Sequence, residues 1–430
     1  MKISEFARKY NAEISTVRYY INSGLLFPKV RNKQYRFDER CETDMNIIVQ
    51  LKDYGFSISE IRSILYLIHL TNLTALDDVS DFIQILEEKE TELHTELKSL
   101  QKTHNDLLSF IDSLKGRLEK ESISAPGKGM PLSMLPLLCC PDCGQTLQLQ
   151  KADIADGRII NGEAECICGY HATIRDGILI TETGTINSLD IPYLNRGIFK
   201  LLPDSWVSMF RLSFDKMDDA LKSSGTAGKV VLENQLNCFS FLFSRINELD
   251  PTGMYILADP HPEIVRRFKK MIERQNPNLN ILYIVDKTCR YPIRKSCIDI
   301  FIDTCSINDY GAFNADKNLI EAMQPYLKPD AELIGTYLYC HPYSPTHKNL
   351  LARHPDCAKN NYQISYFQSL IKQSKAERIE EKDVGSVDEW CGDNPCFFFH
   401  IDKDPVHFHF YHYRSANKTN IFTYNKDPGR

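Results

Sequence analysis

Between Val79 and Leu118 an apolar residue returns every third or fourth position, a pattern that a rod satisfies and a compact globule does not. Val79, Leu86, Leu93, Leu100, Leu107 and Leu114 recur every seven residues, and Ile83, Leu97, Ile111 and Leu118 fill the alternate seam, broken by Glu90 and His104. This is the spacing of a helix with one narrow apolar stripe, and such a run extends about 60 Å. A stripe that narrow is poorly covered within a single chain. The pattern therefore predicts a coiled-coil dimerisation helix over 76–121, pairing two copies of the chain. His104 on the seam is expected to fix register rather than to sense pH or metal.

The rod divides the sequence into a short head and a long body. It ends in KESISAPGKGMP, a Ser/Pro/Gly-rich linker over 122–136. At 430 residues the chain exceeds what one core organises, so a multidomain protein is expected. With 43% apolar and 25% charged residues, wholesale disorder is excluded. No apolar run approaches the roughly 20 residues of a membrane span, and MKISEFARKY lacks the apolar core of a secretory signal. The expectation is a cytoplasmic protein with no membrane partner, whose 14 cysteines are thiols or metal ligands rather than disulfides. The net charge of −6 is asymmetric: residues 1–40 carry +5 and the remainder −11. A basic head on an acidic body points to a polyanion met by the head alone.

In the head, Ile3, Phe6, Ala7 and Tyr10 share one helical face, which Asn11-Ala12 interrupts. A second short helix from about Ser15 to Ser23 stops at Gly24. Two short helices joined by a turn make a helix-turn-helix. Ser15, Thr16, Arg18 and Tyr19 near the start of the second can reach phosphates or base edges. LFPKVRNKQYRF then gives two β-like runs around a polar tip, a wing able to grip a nucleic-acid backbone through Arg31, Lys33, Tyr35 and Arg36. Asp38 is placed to cap a third helix that ends before Gly55, and Ser57-Ile-Ser-Glu60 reads as a capping box opening a fourth. TVRYY, GLL with its nearby proline, the YRF at the wing's end and the GFS.SEI helix opening occur in order. Together they make residues 1–72 resemble the winged DNA-binding domain of MerR-family transcription regulators. Ile21 departs from the acidic residue the family often has there. The resemblance implies a homodimer on double-stranded promoter DNA, acting on RNA polymerase indirectly by distorting the promoter, with the long helix pairing two chains antiparallel.

Cys140 and Cys143 flank two residues in CCPDCGQ, and Cys166 and Cys168 flank one in ECICGY. Gly144 and Gly169 let the backbone turn around each sulfur, so the two knuckles can deliver four thiolates to a tetrahedral Zn²⁺. A segment this short has little core, and the metal would supply much of its folding energy. Cys139 is an adjacent spare. With the DGILI exit strand, residues 137–185 resemble zinc ribbons attached to nucleic-acid methyltransferases.

From about 190, short apolar strands alternate with helices: KVVLENQ, CFSFLFSRINEL, MYILADP, EIVRRFKKMIERQ, ILYIVDK, CIDIFIDTC, LIEAMQPYL and AELIGTYLY. Such alternation predicts a parallel sheet covered on both faces, and CFFFHI and HFHFYHY look like closing antiparallel strands. The order resembles a class I S-adenosylmethionine-dependent methyltransferase, an α/β Rossmann-like fold, over 190–415, leaving 416–430 as a tail. By that resemblance Glu233, Asp259 and Asp286 are the cofactor-binding candidates. Glu233 is the first strand's acidic residue, Asp259 binds ribose hydroxyls and Asp286 lies near adenine. Gln235, Asn237 and Phe239 stand where the family has glycines, and bulky residues there should block or reroute the methionine part of the cofactor. No catalytic residue is assigned. The expectation is a degenerate domain used for sensing an unknown small-molecule effector. The alternative is an active S-adenosylmethionine-dependent methyltransferase directed to DNA, RNA or a small molecule. His400, His407, His409 and His412 are expected to pack rather than to bind metal.

Overall fold

The computed structural model describes residues 1–122, 128–181, 202–236, 240–392, 397 and 399–416. Asn237 and Phe239 of the altered loop and the tail from 417 onwards lie outside the described residues, as does the side chain of Leu118. The chain divides into two compact units, Met1–Ala125 and Pro126–Arg430.

In the first unit, α1 (Ile3–Lys9) and α2 (Ile14–Asn22) bury Phe6, Ala7, Val17 and Tyr20, so the expected faces turn inward. β1 (Lys29–Arg31) and β2 (Gln34–Arg36) pair antiparallel as Lys29↔Arg36, Val30↔Tyr35 and Arg31↔Gln34. The two residues between them, Asn32 and Lys33, are both left-handed at φ +50° and +59°. That matches the strand twist in a two-residue hairpin. α3 (Glu39–Asp53) starts where the Cys41 amide donates to Asp38 Oδ1 at 3.4 Å. α4 (Ile58–Thr71) starts in a complete capping box: the Glu60 amide donates to Ser57 Oγ, and the Ser57 amide to Glu60 Oε2 at 2.6 Å. α5 (Leu76–Ser122) has 47 residues, about 70 Å of helix. Its first turns pack Phe82, Ile85 and Leu86 onto the head core. Every residue from Glu90 to Lys115 is exposed.

The second unit opens with β3 (Met130–Pro131) and a 3-10 turn over Leu132–Leu137. Part of the stretch expected as linker is therefore folded: Met130, Met134 and Leu137 are buried, and their apolar side chains outweigh the Gly/Pro signal that suggested an open tether. β4 (Gln148–Ala155), β5 (Arg158–Glu165), β6 (His171–Arg175) and β7 (Ile178–Thr181) follow as an antiparallel series. Next come α6 (Asp204–Ser224), β8 (Val230–Asn234), α7 (Phe241–Ser244), β9 (Met254–Asp259), α8 (Pro262–Gln275) and β10 (Asn280–Val285). β11 (Ile298–Thr304), α9 (Ser306–Ala312), α10 (Leu319–Met323) and β12 (Leu327–Cys340) continue the alternation. α11 (Pro345–Arg353), α12 (Ile364–Ser374), β13 (Glu377–Val387) and β14 (Val406–Arg414) close it.

These strands form one sheet in the order β13-β14-β12-β11-β8-β9-β10-β7-β6-β5-β3, with β4 on β5. The run from β12 to β7 is parallel throughout, while β14 lies antiparallel between β12 and β13. Alternate strand residues serve two cores. Leu232, Ile256 and Ile284 face one, and Val231, Leu257 and Val285 face the other. The methyltransferase-type α/β fold is thus the one that forms, with helices covering both faces. The cysteine-bearing β4–β7 segment adds to it directly, because β7 pairs with β10 as Tyr283↔Ile178 and Val285↔Ile180.

Two readings are corrected and one strand was not foreseen. None of the described residues of CFFFHI lies in a strand: Phe397 and Phe399 are buried in a core with Trp206 instead. The partner of β14 on that side is β13, whose mostly exposed, charge-rich sequence carries little strand signal. The helix expected over CFSFLFSRINEL is the four-residue α7, held at its start by Ser240, whose Oγ accepts from the Phe243 amide.

Candidate functional site

Three groups of side chains carry recognisable chemistry. In the head, burial of Val17 and Tyr20 fixes the rotation of α2, and Ser15, Arg18 and Tyr19 are exposed while Thr16 is half-buried. Ser15 Oγ donates to Glu13 Oε2 at 2.9 Å. Arg31, Lys33, Tyr35 and Arg36 are all exposed along the hairpin. Lys29 is tied to Asp38 at 3.2 Å, but Arg18, Arg31 and Lys33 have no carboxylate partner among the described residues. The wing is anchored at its end, where Phe37 stacks on Phe6 at 4.2 Å and its carbonyl accepts from the N-terminal ammonium at 2.6 Å. The result is a rigid hairpin and helix start offering cationic and hydroxyl groups to solvent.

The second group is the cysteine cluster. Cys140, Cys143, Cys166 and Cys168 bring four sulfurs within 4.8 Å of one another. Cys140 and Cys168 lie 3.4 Å apart, and Cys143 and Cys166 3.3 Å. Each knuckle closes on itself. The Gly144 amide donates to the Cys140 carbonyl and the Gly169 amide to the Cys166 carbonyl, both at 2.9 Å, with the glycines left-handed at φ +74° and +97°. Four thiols so close are the donor set of a closed, tetrahedral thiolate site, and they fit a Zn²⁺ ion with no open coordination position. Cys139 is not part of the cluster. Its amide donates to the Pro292 carbonyl at 3.1 Å, and its thiol is buried.

The third group sits at the carboxyl ends of the parallel strands, where strand order reverses between β8 and β11, the usual location of a ligand crevice in such sheets. Glu233, on β8, is fully buried and its carboxylate accepts four hydrogen bonds. Oε1 takes the Phe241 amide at 2.7 Å and Thr304 Oγ1 at 2.9 Å, and Oε2 takes Ser240 Oγ at 2.7 Å and the Leu242 amide at 3.0 Å. Burial nevertheless pushes this carboxyl up to about 6. Both oxygens are occupied by the chain itself, so Glu233 ties the end of β8 to α7 and β11. Asp259, ending β9, accepts the His261 amide at 2.8 Å and approaches His261 Nδ1 at 3.1 Å. Asp286 follows β10 beside it, its amide donating to the Asp259 carbonyl at 3.2 Å. Asp286 Oδ1 accepts from the Thr288 amide at 2.8 Å, and Oδ2 accepts from Thr181 Oγ1 at 2.6 Å. Gln235, at the first altered position, adopts the left-handed conformation at φ +51°.

Sequence reasoning missed Thr181, which reaches Asp286 only because β7 pairs with β10, a contact with no local signature. It also missed Asn234, Cys289 and Tyr291. Asn234 Nδ2 faces Cys289 Sγ at 3.9 Å, and the Tyr291 hydroxyl faces the same sulfur at 3.6 Å. Burial pushes Cys289 up to about 12, which disfavours its thiolate. The closing-strand histidines pair with carboxylates instead of gathering. His409 Nε2 lies 2.8 Å from Glu381, and His412 Nε2 lies 2.7 Å from Glu332.

No curated protein matches the chain. Among solved structures it is similar to MccD protein at 10% identity, over 46% of this chain and 96% of that one, with a TM-score of 0.38. It is similar to phosphoethanolamine N-methyltransferase 2 of Haemonchus contortus, in complex with S-adenosyl-L-methionine, at 12% identity over 57% and 63%, TM-score 0.38. A SAM dependent methyltransferase from Aquifex aeolicus gives 14% identity over 50% and 96%, TM-score 0.32. Residues 1–67 match the family described as MerR HTH family regulatory protein. The first unit therefore begins with a MerR-family helix-turn-helix domain, and the second has a methyltransferase-like α/β fold.

Proposed function

We propose that this chain is a homodimeric, sequence-specific transcription regulator of the MerR type, working in the cytoplasm, with the second unit as its effector domain. The observation that carries the reading is the MerR-family head, whose exposed Arg18, Tyr19, Arg31, Lys33 and Arg36 surround the start of α2 and the hairpin. Ser15, Thr16 and Tyr35 complete the DNA-contacting set. Two heads, joined through the apolar stripe of α5, would bind a pseudo-palindromic promoter and alter its spacer, acting on RNA polymerase only through the DNA. Cys140, Cys143, Cys166 and Cys168 would hold Zn²⁺ as a structural ion. It supplies cross-linking of two knuckles and no chemistry beyond that.

The strand-end site supports a ligand with an adenosine half, because Asp259 and Asp286 lie side by side at the ends of β9 and β10. Glu233 supports that site indirectly, by tying the end of β8 to α7 and β11. The methionine half of S-adenosylmethionine fits less well. Gln235 places a side chain where the backbone would have to approach the cofactor bare, so no methyl-transfer step is derived. Activity as a methyltransferase stays the second reading, favoured only by the retained carboxylates. Nuclease footprinting of the dimer on genomic promoter fragments tests the first reading, and a protein that protects no fragment at low salt would overturn it. Calorimetric titration with S-adenosylmethionine and S-adenosylhomocysteine tests the ligand. Transfer of labelled methyl that is lost in Asp259→Ala would favour the second reading.

A further inference from the structure

The metal module and the strand-end site are parts of one structure, and the contacts between them fall on the residues that matter to each. β7 lies parallel beside β10, and its last residue, Thr181, donates from Oγ1 to Asp286 Oδ2 at 2.6 Å, with the Val285 carbonyl 3.3 Å from the same oxygen. The segment that carries Asp286 away from the sheet is held by the first knuckle. The Cys139 amide donates to the Pro292 carbonyl at 3.1 Å, the Arg294 amide to the Leu137 carbonyl at 2.7 Å, and Leu138 bridges to Ile293. Arg290 pairs with Asp142, which lies between Cys140 and Cys143. Leu138, Cys140 and Leu179 share a core with Cys289, Tyr291 and Ile293. Residues 286–294 are thus clamped between β7 on one side and the Cys140 knuckle on the other.

We propose that metal occupancy of Cys140, Cys143, Cys166 and Cys168 sets the binding competence of the Asp259–Asp286 site, with Thr181 as the positioning residue that joins the two. The physical cause is the weakness of the module by itself. Its knuckles are tight turns around thiols, Cys143 and Cys168 are exposed, and cross-linking by the ion supplies folding energy that so small a segment otherwise lacks. When the ion leaves, the Asp142–Arg290 pair and the knuckle hydrogen bonds lose their rigid base. The 286–294 segment loosens, and Asp286 loses the Thr181 donor that holds its Oδ2. The ligand and the metal then stabilise the same state, so each must raise the affinity for the other by one factor. The chain would report two conditions, metal supply and an adenosine-bearing ligand, through one site. The inference rests on the ligand reading made above, and its test separates the two.

Full-length protein is compared metal-loaded and after chelator stripping under reductant, with hydrogen–deuterium exchange and S-adenosylhomocysteine calorimetry on both. Stripping is expected to speed exchange at least about tenfold in residues 282–294 while leaving β12 and β14 protected. S-adenosylhomocysteine affinity should fall by at least the same factor, and saturating ligand should tighten zinc affinity equally. Thr181→Val keeps the cysteines, so its zinc content should be unchanged while ligand affinity drops about tenfold, the effect of losing one hydrogen bond to a carboxylate. Thr181→Ser should restore it. Unchanged exchange at 282–294 on stripping would overturn the proposal. So would uniform loss of protection across the unit, or a Thr181→Val protein that binds like the parent. If loaded parent protein binds no S-adenosylhomocysteine, the ligand reading fails instead, and the exchange comparison still decides the coupling.

Discussion

If α5 pairs two copies as proposed, replacing Leu100 and Leu107 together by glutamate should convert the dimer to a monomer. In the single chain these side chains are 61% and 55% exposed on α5, and nothing from Glu90 to Lys115 is covered. Burying a whole leucine is worth about 1.5–3 kcal/mol, so covering the exposed part of each contributes about 1–2 kcal/mol. Two such residues on each of two helices account for about 4–8 kcal/mol of association. That is a rise in the dimer dissociation constant of about a thousandfold or more before any cost of facing carboxylates across the seam. Sedimentation equilibrium at a range of concentrations reads this directly. Lys102→Glu, on the outer face of the same helix, serves as the control and should leave the mass unchanged. An uncovered helix of this composition is marginal in water, so the double variant should also lose helical circular dichroism. On DNA it should bind a half-site as the parent head does, but lose the gain from two linked heads on a full operator. If the double variant still sediments at twice the chain mass, the stripe is not the dimer seam and the reasoning from exposure fails.

Arg18→Ala and Arg36→Ala should each weaken operator binding by about 1–3 kcal/mol if the arginine contacts a base. If it contacts phosphate, each should lower the salt slope by about one. Unchanged titrations for both would remove these residues from the interface. Burial raises the carboxyls of Glu233 and Asp303 to about 6. The folded state therefore holds protons that the unfolded chain has already released, and this stability is complete below about pH 4 and lost as pH rises through 6. The shift at Asp303 corresponds to about 3 kcal/mol. The denaturation midpoint of the parent should fall relative to that of Asp303→Asn between pH 4 and 7, and a constant difference would refute the assignment. Gln235→Gly should leave stability within about 1 kcal/mol, since relief at a left-handed position is offset by backbone entropy. It should also raise S-adenosylhomocysteine affinity if the side chain is what crowds the methionine end. Unchanged affinity by calorimetry would mean that it is not.

The head was legible because its signals are local. Asp38 and the Ser57–Glu60 pair announce helix starts within four residues of themselves, and the burial of Phe6, Val17 and Tyr20 follows from helical spacing. The four cysteines were legible for a similar reason, since each pair sits in one turn and only the pairing of turns is long-range. The parallel strands were read from their apolar runs, but their order was not. No residue near Ile178 says that it will lie beside Tyr283. β13 was illegible because an edge strand is exposed and rich in charge, which blunts pairing with other chains and also erases the alternation that marks a strand. Its neighbour β14 is buried and aromatic and could be seen. The same aromatic signal misled at Phe397 and Phe399, where rings fill space around Trp206 without any ladder. Composition reports burial, and burial alone does not fix backbone conformation.

The loop after β8 brings these two kinds of information into conflict. By sequence, Gln235 at a glycine position argues for a blocked crevice, while Glu233, Asp259 and Asp286 argue for a retained one. Among the described residues Glu233 accepts hydrogen bonds from Ser240, Phe241, Leu242 and Thr304, so its carboxylate is engaged by the chain itself. Its place at the strand end is explained by tying β8 to α7 and β11, which an empty or altered site requires as much as a working one. Gln235 takes a left-handed backbone at φ +51°, a conformation glycine adopts readily, and its side chain interacts with the Cys289 thiol. Asp259 and Asp286 remain side by side, each with oxygens engaged by groups of its own neighbourhood, and Asp286 is oriented by a residue of the metal module. The effector reading proposed above requires that this pair still bind a ligand while Gln235 keeps the methionine end out. The Gln235→Gly titration separates that reading from one in which the site turns over.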